Sequence, residues 1–271
     1  SAYVGSANLD WRSLTQVKEL GAYWEACPPA VADLQRIFDT YWLVGTNNSV
    51  PAAWPASLSP DWSIEHPGVL DINGTETSLF YSFAPPPLQP PSWTSDLDGI
   101  LSHIHNAQKF VHLEVMDFLP AIVYNNPSSV FWPNLINAIE AAAYNRNIQF
   151  KLLIGSWNNS IPAQKFYEHS LNDIPNIEVK HFVVPRACAL RPSFTPAVPF
   201  TRVAHGKWIV TDNSVFVSTS NFAGDYYVNT CGVSTNLQGN PLILSAMQNV
   251  FLRDWDSEYT VPLPPLPPSP Q

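Results

Sequence analysis

The chain has 271 residues, 45% of them hydrophobic and only 13% charged, with a formal net charge of −9. That length supports one large core or two lobes, and the low charge excludes an intrinsically disordered chain. An acidic surface is a poor general magnet for nucleic acid or anionic membranes, so any phosphate ligand must be met by a local pocket.

In chain order, residues 1–26 predict two strands, Ser1–Ala7 and Thr15–Ala26. A helix follows from Pro28 to Trp42, with apolar residues at three- and four-residue steps and prolines where a missing N–H is harmless. Residues 45–78 read as loop, punctuated by Gly, Asn, Pro and Ser. A short strand, Leu79–Ala84, leads into a Pro-rich connector over 84–92, which is the expected lobe boundary.

Beyond it, strands and helices alternate. Thr94 or Ser95 caps a helix to about Gln108, and Phe110–Leu119 is an apolar strand of the buried parallel type. A helix to Tyr144, a strand over Ile148–Gly155, a helix over Pro162–Leu171 and a strand over Ile177–Val184 come next. After a hairpin at 203–220, a strand is expected over Tyr226–Thr235. An amphipathic helix over Leu242–Trp255 offers Leu242, Leu244, Met247, Val250, Phe251 and Trp255 to the core. The alternation predicts an α/β sandwich with helices on both faces of a mixed sheet. Residues 1–83, 84–258 and 259–271 are the expected first lobe, second lobe and polyproline-like tail.

The hairpin carries the chemistry. Val203-Ala-His205-Gly-Lys207-Trp-Ile-Val-Thr-Asp212 is followed by a turn and by Ser214-Val-Phe-Val-Ser218-Thr219-Ser220-Asn221. On a strand from Val203, His205 and Lys207 share one face. An imidazole beside a cation, with hydroxyls and an amide on the returning strand, suits a phosphate: it can attack phosphorus or carry a proton while the others hold charge. The first eight residues, Ser1-Ala-Tyr-Val-Gly5-Ser6-Ala7-Asn8, echo Ser214–Asn221, as though a second copy of the motif began at its returning strand.

His-x-Lys-x4-Asp with a downstream Ser/Thr-x-Asn resembles the second signature motif of the phospholipase D superfamily. The block Gly5–Gly21, with Ala84–Leu88, Phe131-Trp-Pro133, Val183-Val-Pro185 and Phe251–Ser257, is similar to the branch of lysosomal exonuclease-type members three and four. Ser218 stands where the motif usually has Gly, and Asp212 where this branch often has Glu. The resemblance implies a phospholipase D-like α-β-α sandwich of two pseudo-symmetric lobes, the first incomplete. It implies a phosphodiesterase that needs no metal or other cofactor and works through a phospho-histidine. His205 is one catalytic histidine, Lys207 and Asn221 are phosphate ligands, Thr219 and Ser6 assist, and Asn8 is the matching ligand of the first motif. Asp212 joins the catalytic set as a supporting residue. The first motif's His and Lys are expected before Ser1, so the chain by itself is expected to be inactive. The implied substrate is single-stranded nucleic acid, cleaved 5′→3′; phospholipid, or a non-catalytic binding role, are the alternatives. A membrane anchor ahead of Ser1, an endomembrane lumen leading to the lysosome, and a homodimer complete the expectations.

Asn47, Asn73 and Asn158 begin N-glycosylation sequons, which fits a lumenal chain. Of three cysteines, Cys27, Cys188 and Cys231, the resemblance makes Cys27 the one whose disulfide partner is missing. No Cys/His spacing reads as a zinc site. His103, His105, His112 and Glu114 are expected in structural roles. Ten Trp are expected chiefly in the core, with stacking on bases as a second use.

Overall fold

The computed structural model describes residues 1–124, 129–184 and 198–266. Among them, ten strands form one sheet. Its order runs Thr260–Pro262, Ile177–Phe182, Gln149–Gly155, Phe110–Val115, Lys207–Thr211, Ser214–Ser218, Gly232–Gln238, Thr75–Ala84, Gly68–Ile72, with Thr94–Ser95 paired to Thr75–Ala84. The strands 110–115, 149–155 and 177–182 are parallel and almost wholly buried, as a sheet covered on both faces requires. From Lys207 onward the neighbours are antiparallel.

Side-chain alternation sorts this sheet into two cores. Val111, Leu113, Val115, Leu152, Ile154 and Ile209 face the helices Asp96–Asn106, Asn134–Arg146 and Gln164–Asn172. Tyr81, Phe83, Leu153, Trp208, Val210 and Val217 face the helices Pro28–Asn47 and Pro241–Trp255. The result is an α-β-α sandwich, the architecture expected from the alternation of elements.

Several expectations are corrected. The second strand of the N-terminal region is shorter, Gly21–Trp24, because Asp10 caps a helix over Trp11–Gln16 by accepting from the amides of Arg12 and Ser13. Residues 68–78, expected as loop, supply a strand over Gly68–Ile72 and the start of Thr75–Ala84, which extends the expected strand Leu79–Ala84 into a hairpin. Asn73 and Gly74 both have positive φ, 55° and 77°, which supplies the tight turn that right-twisted strands need. This hairpin joins the main sheet through Thr75–Ala84 against Gly232–Gln238, so the sheet continues across the 84–92 connector. The strand expected over 226–235 is a short helix, Gly224–Val228, and then Gly232–Gln238. Leu242 lies on the exposed side of its helix, whereas Phe251 and Trp255 are buried. Part of the tail, Thr260–Pro262, adds an edge strand to Ile177–Phe182, a place where proline is tolerated.

Cys27 and Cys231 are free thiols, and Cys188 lies outside the described residues. No helix of the described residues is long and apolar enough to cross a membrane. His103 is fully buried between Ser214 Oγ and Asn236 Oδ1, and His112 stacks between Phe110 and Phe251. Burial pushes both imidazoles down to about 4, so they stay neutral.

Candidate active site

Thr211 shapes the hairpin turn: its hydroxyl accepts from the amides of Asn213 and Ser214. Trp208, Ile209 and Val210 lock the first strand into both cores. That strand starts at Lys207, so His205 precedes it instead of lying on it. What places His205 is a strap from the N-terminal region. The Arg202 amide donates to Gln16 O at 3.0 Å, Lys18 N to Val203 O at 2.9 Å, and His205 N to Lys18 O at 2.8 Å.

Along the strap, side chains turn opposite ways. Lys18 reaches into the fold, pairing with Glu114 and, at 3.0 Å, with Asp254. Glu19 meets the His205 ring, its carboxylate 2.9 and 3.1 Å from Nδ1. Ser6 Oγ donates to the same carboxylate at 2.5 Å, and Ser13 Oγ donates to its other oxygen. Burial alone would raise the Glu19 carboxyl. The hydrogen bonds from His205, Ser13 and Ser6 outweigh it and hold the group below its ordinary range. With Nδ1–H given to Glu19, the ring keeps Nε2 for a ligand.

Lys207 is buried, its ammonium donating to the His205 carbonyl at 2.8 Å. Burial pushes it down to about 7, against the pull of Glu19 and Asp117. Asn221 is also buried. Its amide nitrogen lies 3.2 Å from Asp117 Oδ2 and from the Tyr226 hydroxyl, and its Oδ1 has no partner. Burial raises the Asp117 carboxyl, opposed by Trp157 Nε1 at 3.4 Å and by the charges of Lys207 and His205. Lys207 and Asn221 thus both bear on Asp117, one by charge and one by hydrogen bond, and neither is among the residues lining the cavity beside His205.

In front of the ring lies a cavity of about 210 Å³, lined among others by His205, Glu19, Asn8, Arg12, Trp157 and Phe200. Asn8 is among these lining residues. Two expected helpers, Ser6 and Thr219, make other contacts, and Asp212 supports the hairpin from the strand end. Ser6 anchors Glu19, and Thr219 accepts from the Val233 amide at 3.0 Å to hold the neighbouring strand. Asp212 sits at the far end of the 207–211 strand, where it accepts from the amides of Gln108, Lys109 and Phe110; it does not line the cavity. Sequence reasoning missed Glu19 and Asp117. Glu19 lies within the Gly5–Gly21 block, but its partner is distant in sequence. Asp117 follows a buried parallel strand, a position where such sheets present functional groups.

A family model described as "PLD3/4, PLD-like domain" matches residues 1–187. The chain is 42% identical over 264 residues to "Phospholipase D Z" of Dictyostelium discoideum, covering 97% of this chain and 61% of that one. It is 40% identical over 272 residues to "5'-3' exonuclease PLD3" of Xenopus laevis, covering 96% and 54%. It thus spans between a half and two thirds of the length of these relatives. The fold matches the solved structure of NucT from Helicobacter pylori, with TM-score 0.50 and 17% identity over 68% of this chain and 99% of that one. On the family match and the sandwich with its Glu19–His205 pair, the chain belongs to the phospholipase D superfamily, in the branch of PLD3/4-type PLD-like domains.

Proposed function

We propose that the protein in its complete form is a phosphodiesterase acting through a phospho-histidine, most specifically a 5′→3′ exonuclease on single-stranded DNA or RNA. One observation carries the chemistry: an imidazole at the wall of a cavity, its Nδ1 tied to a half-buried carboxylate and its backbone carbonyl to a buried ammonium. Membership of the PLD3/4 branch supports nucleic acid as the substrate.

In the proposed reaction one histidine forms a P–N bond as the P–O bond to the leaving group breaks. The second histidine protonates the departing oxygen and then activates the water that cleaves P–N. His205 takes one of these parts. None of the other six histidines lines the cavity, so the counterpart comes from outside these residues. Lys207 and Asn221 stabilise charge on the phosphoryl oxygens, with Asn8 reaching in from the facing segment. The exposed sequons at Asn47, Asn73 and Asn158 support passage through an endomembrane lumen.

The full-length protein is incubated with 3′-labelled single-stranded oligonucleotide and with phosphatidylcholine at acid pH, with EDTA. Stepwise loss of nucleotides from the 5′ end, abolished in His205→Ala, is expected. Cleavage of phosphatidylcholine alone would replace the nucleic-acid reading with a lipid one. Cleavage of neither would leave a binding role.

A further inference from the structure

We propose that the mouth of the cavity is a base-holding slot, in which the exposed Phe200 ring, buttressed edge-on by Trp157, stacks on the nucleobase of the nucleotide whose phosphate faces His205. The inference rests on the phosphodiesterase reading and adds what the site grips besides phosphate.

The slot is built from three separate segments. Trp157 follows the 149–155 strand, and its indole N–H is turned toward Asp117 at 3.4 Å, which fixes the plane of the ring. Phe200 precedes the strap. Its ring is 62% exposed, and its backbone is held at φ 60°, a conformation a bulky residue adopts only when its surroundings demand it. The two rings meet edge-on, with centroids 6.4 Å apart and planes at 61°, and both line the cavity that they share with His205. Arg12, tied to Asp10 at 3.2 Å, carries its guanidinium 5.8 Å from the Phe200 ring.

An exposed aromatic beside a phosphate-type site is otherwise hard to account for, since its burial contributes nothing to the core. Two chemistries bind to aromatic faces: flat bases and quaternary ammonium groups. Arg12 decides between them, because a fixed cation over Phe200 repels a cationic headgroup but tolerates, and stacks on, a base. Stacking uses a face that every base has, so the slot is expected to accept all four bases.

Isothermal titration of the full-length protein compares thymidine 5′-monophosphate with deoxyribose 5-phosphate, which lacks the base. The nucleotide is expected to bind about 5- to 100-fold more tightly. That advantage disappears in Phe200→Ala and survives in Phe200→Tyr, while binding of the base-free sugar phosphate is unchanged in both. Phe200 is exposed, so these variants leave the core intact. Equal binding of the two ligands in the unaltered protein, or an advantage that persists in Phe200→Ala, overturns the slot and leaves the phosphate site standing. Binding of neither ligand removes both the slot and the phosphodiesterase reading beneath it.

Discussion

Glu19 and His205 are 186 positions apart in the chain, and the carboxylate of one lies 2.9 Å from the imidazole Nδ1 of the other. This contact sets the tautomer of the ring, with Nδ1–H given to the carboxylate. In Glu19→Gln an amide replaces the anion. Cleavage by the full-length protein is expected to fall about 10²- to 10⁴-fold, as when a triad carboxylate is neutralised. An unchanged cleavage rate would show that the carboxylate only packs there.

Lys207 makes the site sensitive to pH near neutrality. Its folded pKa is pushed down to about 7, whereas an unfolded chain keeps that proton to about 10.4. Between these values the unfolded state binds more protons, so unfolding free energy should rise with pH across that window. Below about 7 both states are protonated, and this contribution is flat. Binding should run the other way: a non-cleavable phosphodiester should bind more weakly as pH rises through 7 and the ammonium is lost. Urea unfolding and titrations at pH 5.5, 7 and 9 test both trends, and Lys207→Met should flatten each.

Lys18 holds the underside of the strap by pairing with Glu114, which is 1% exposed, and with Asp254. Burial raises the Glu114 carboxyl and the Lys18 charge opposes that rise. Lys18→Met strands the carboxylate and should cost about 3–5 kcal/mol in urea unfolding. The double variant Lys18→Met/Glu114→Leu removes both charges and should recover most of the loss. If the single variant costs under about 1 kcal/mol, the pair does not hold the strap.

Asp212 offers a contrast within the same motif. Its carboxylate gathers three backbone amides at the start of the 110–115 strand. Asp212→Ala should lower stability by about 1 kcal/mol while leaving affinity for a phosphodiester unchanged. A selective loss of affinity would instead give it a part in the site.

The regular elements were legible where one local pattern decided them. The apolar run expected as one strand over Phe110–Leu119 forms a strand at Phe110–Val115, where Val111, Leu113 and Val115 alternate with His112 and Glu114, while Phe118–Leu119 pairs separately with Phe222–Ala223. The 68–84 hairpin was hidden because its turn residues, Asn73-Gly74, also belong to a sequon within a Gly-, Pro- and Asn-rich stretch. The helix at Trp11–Gln16 was missed because it is six residues long and depends on a cap.

By itself the amino-acid order determined the strand and helix periodicity, the hairpin with His205 and Lys207, and the family. Each of these is written in neighbours a few residues apart. Only the tertiary structure decided that Glu19 grips His205, that Ser6 and Thr219 serve other residues, and that Trp157 and Phe200 share one cavity. Those relationships depend on hydrogen bonds and ring contacts between segments far apart in the chain. Spacing along a sequence carries no record of such contacts until the sheet and the strap bring the segments together.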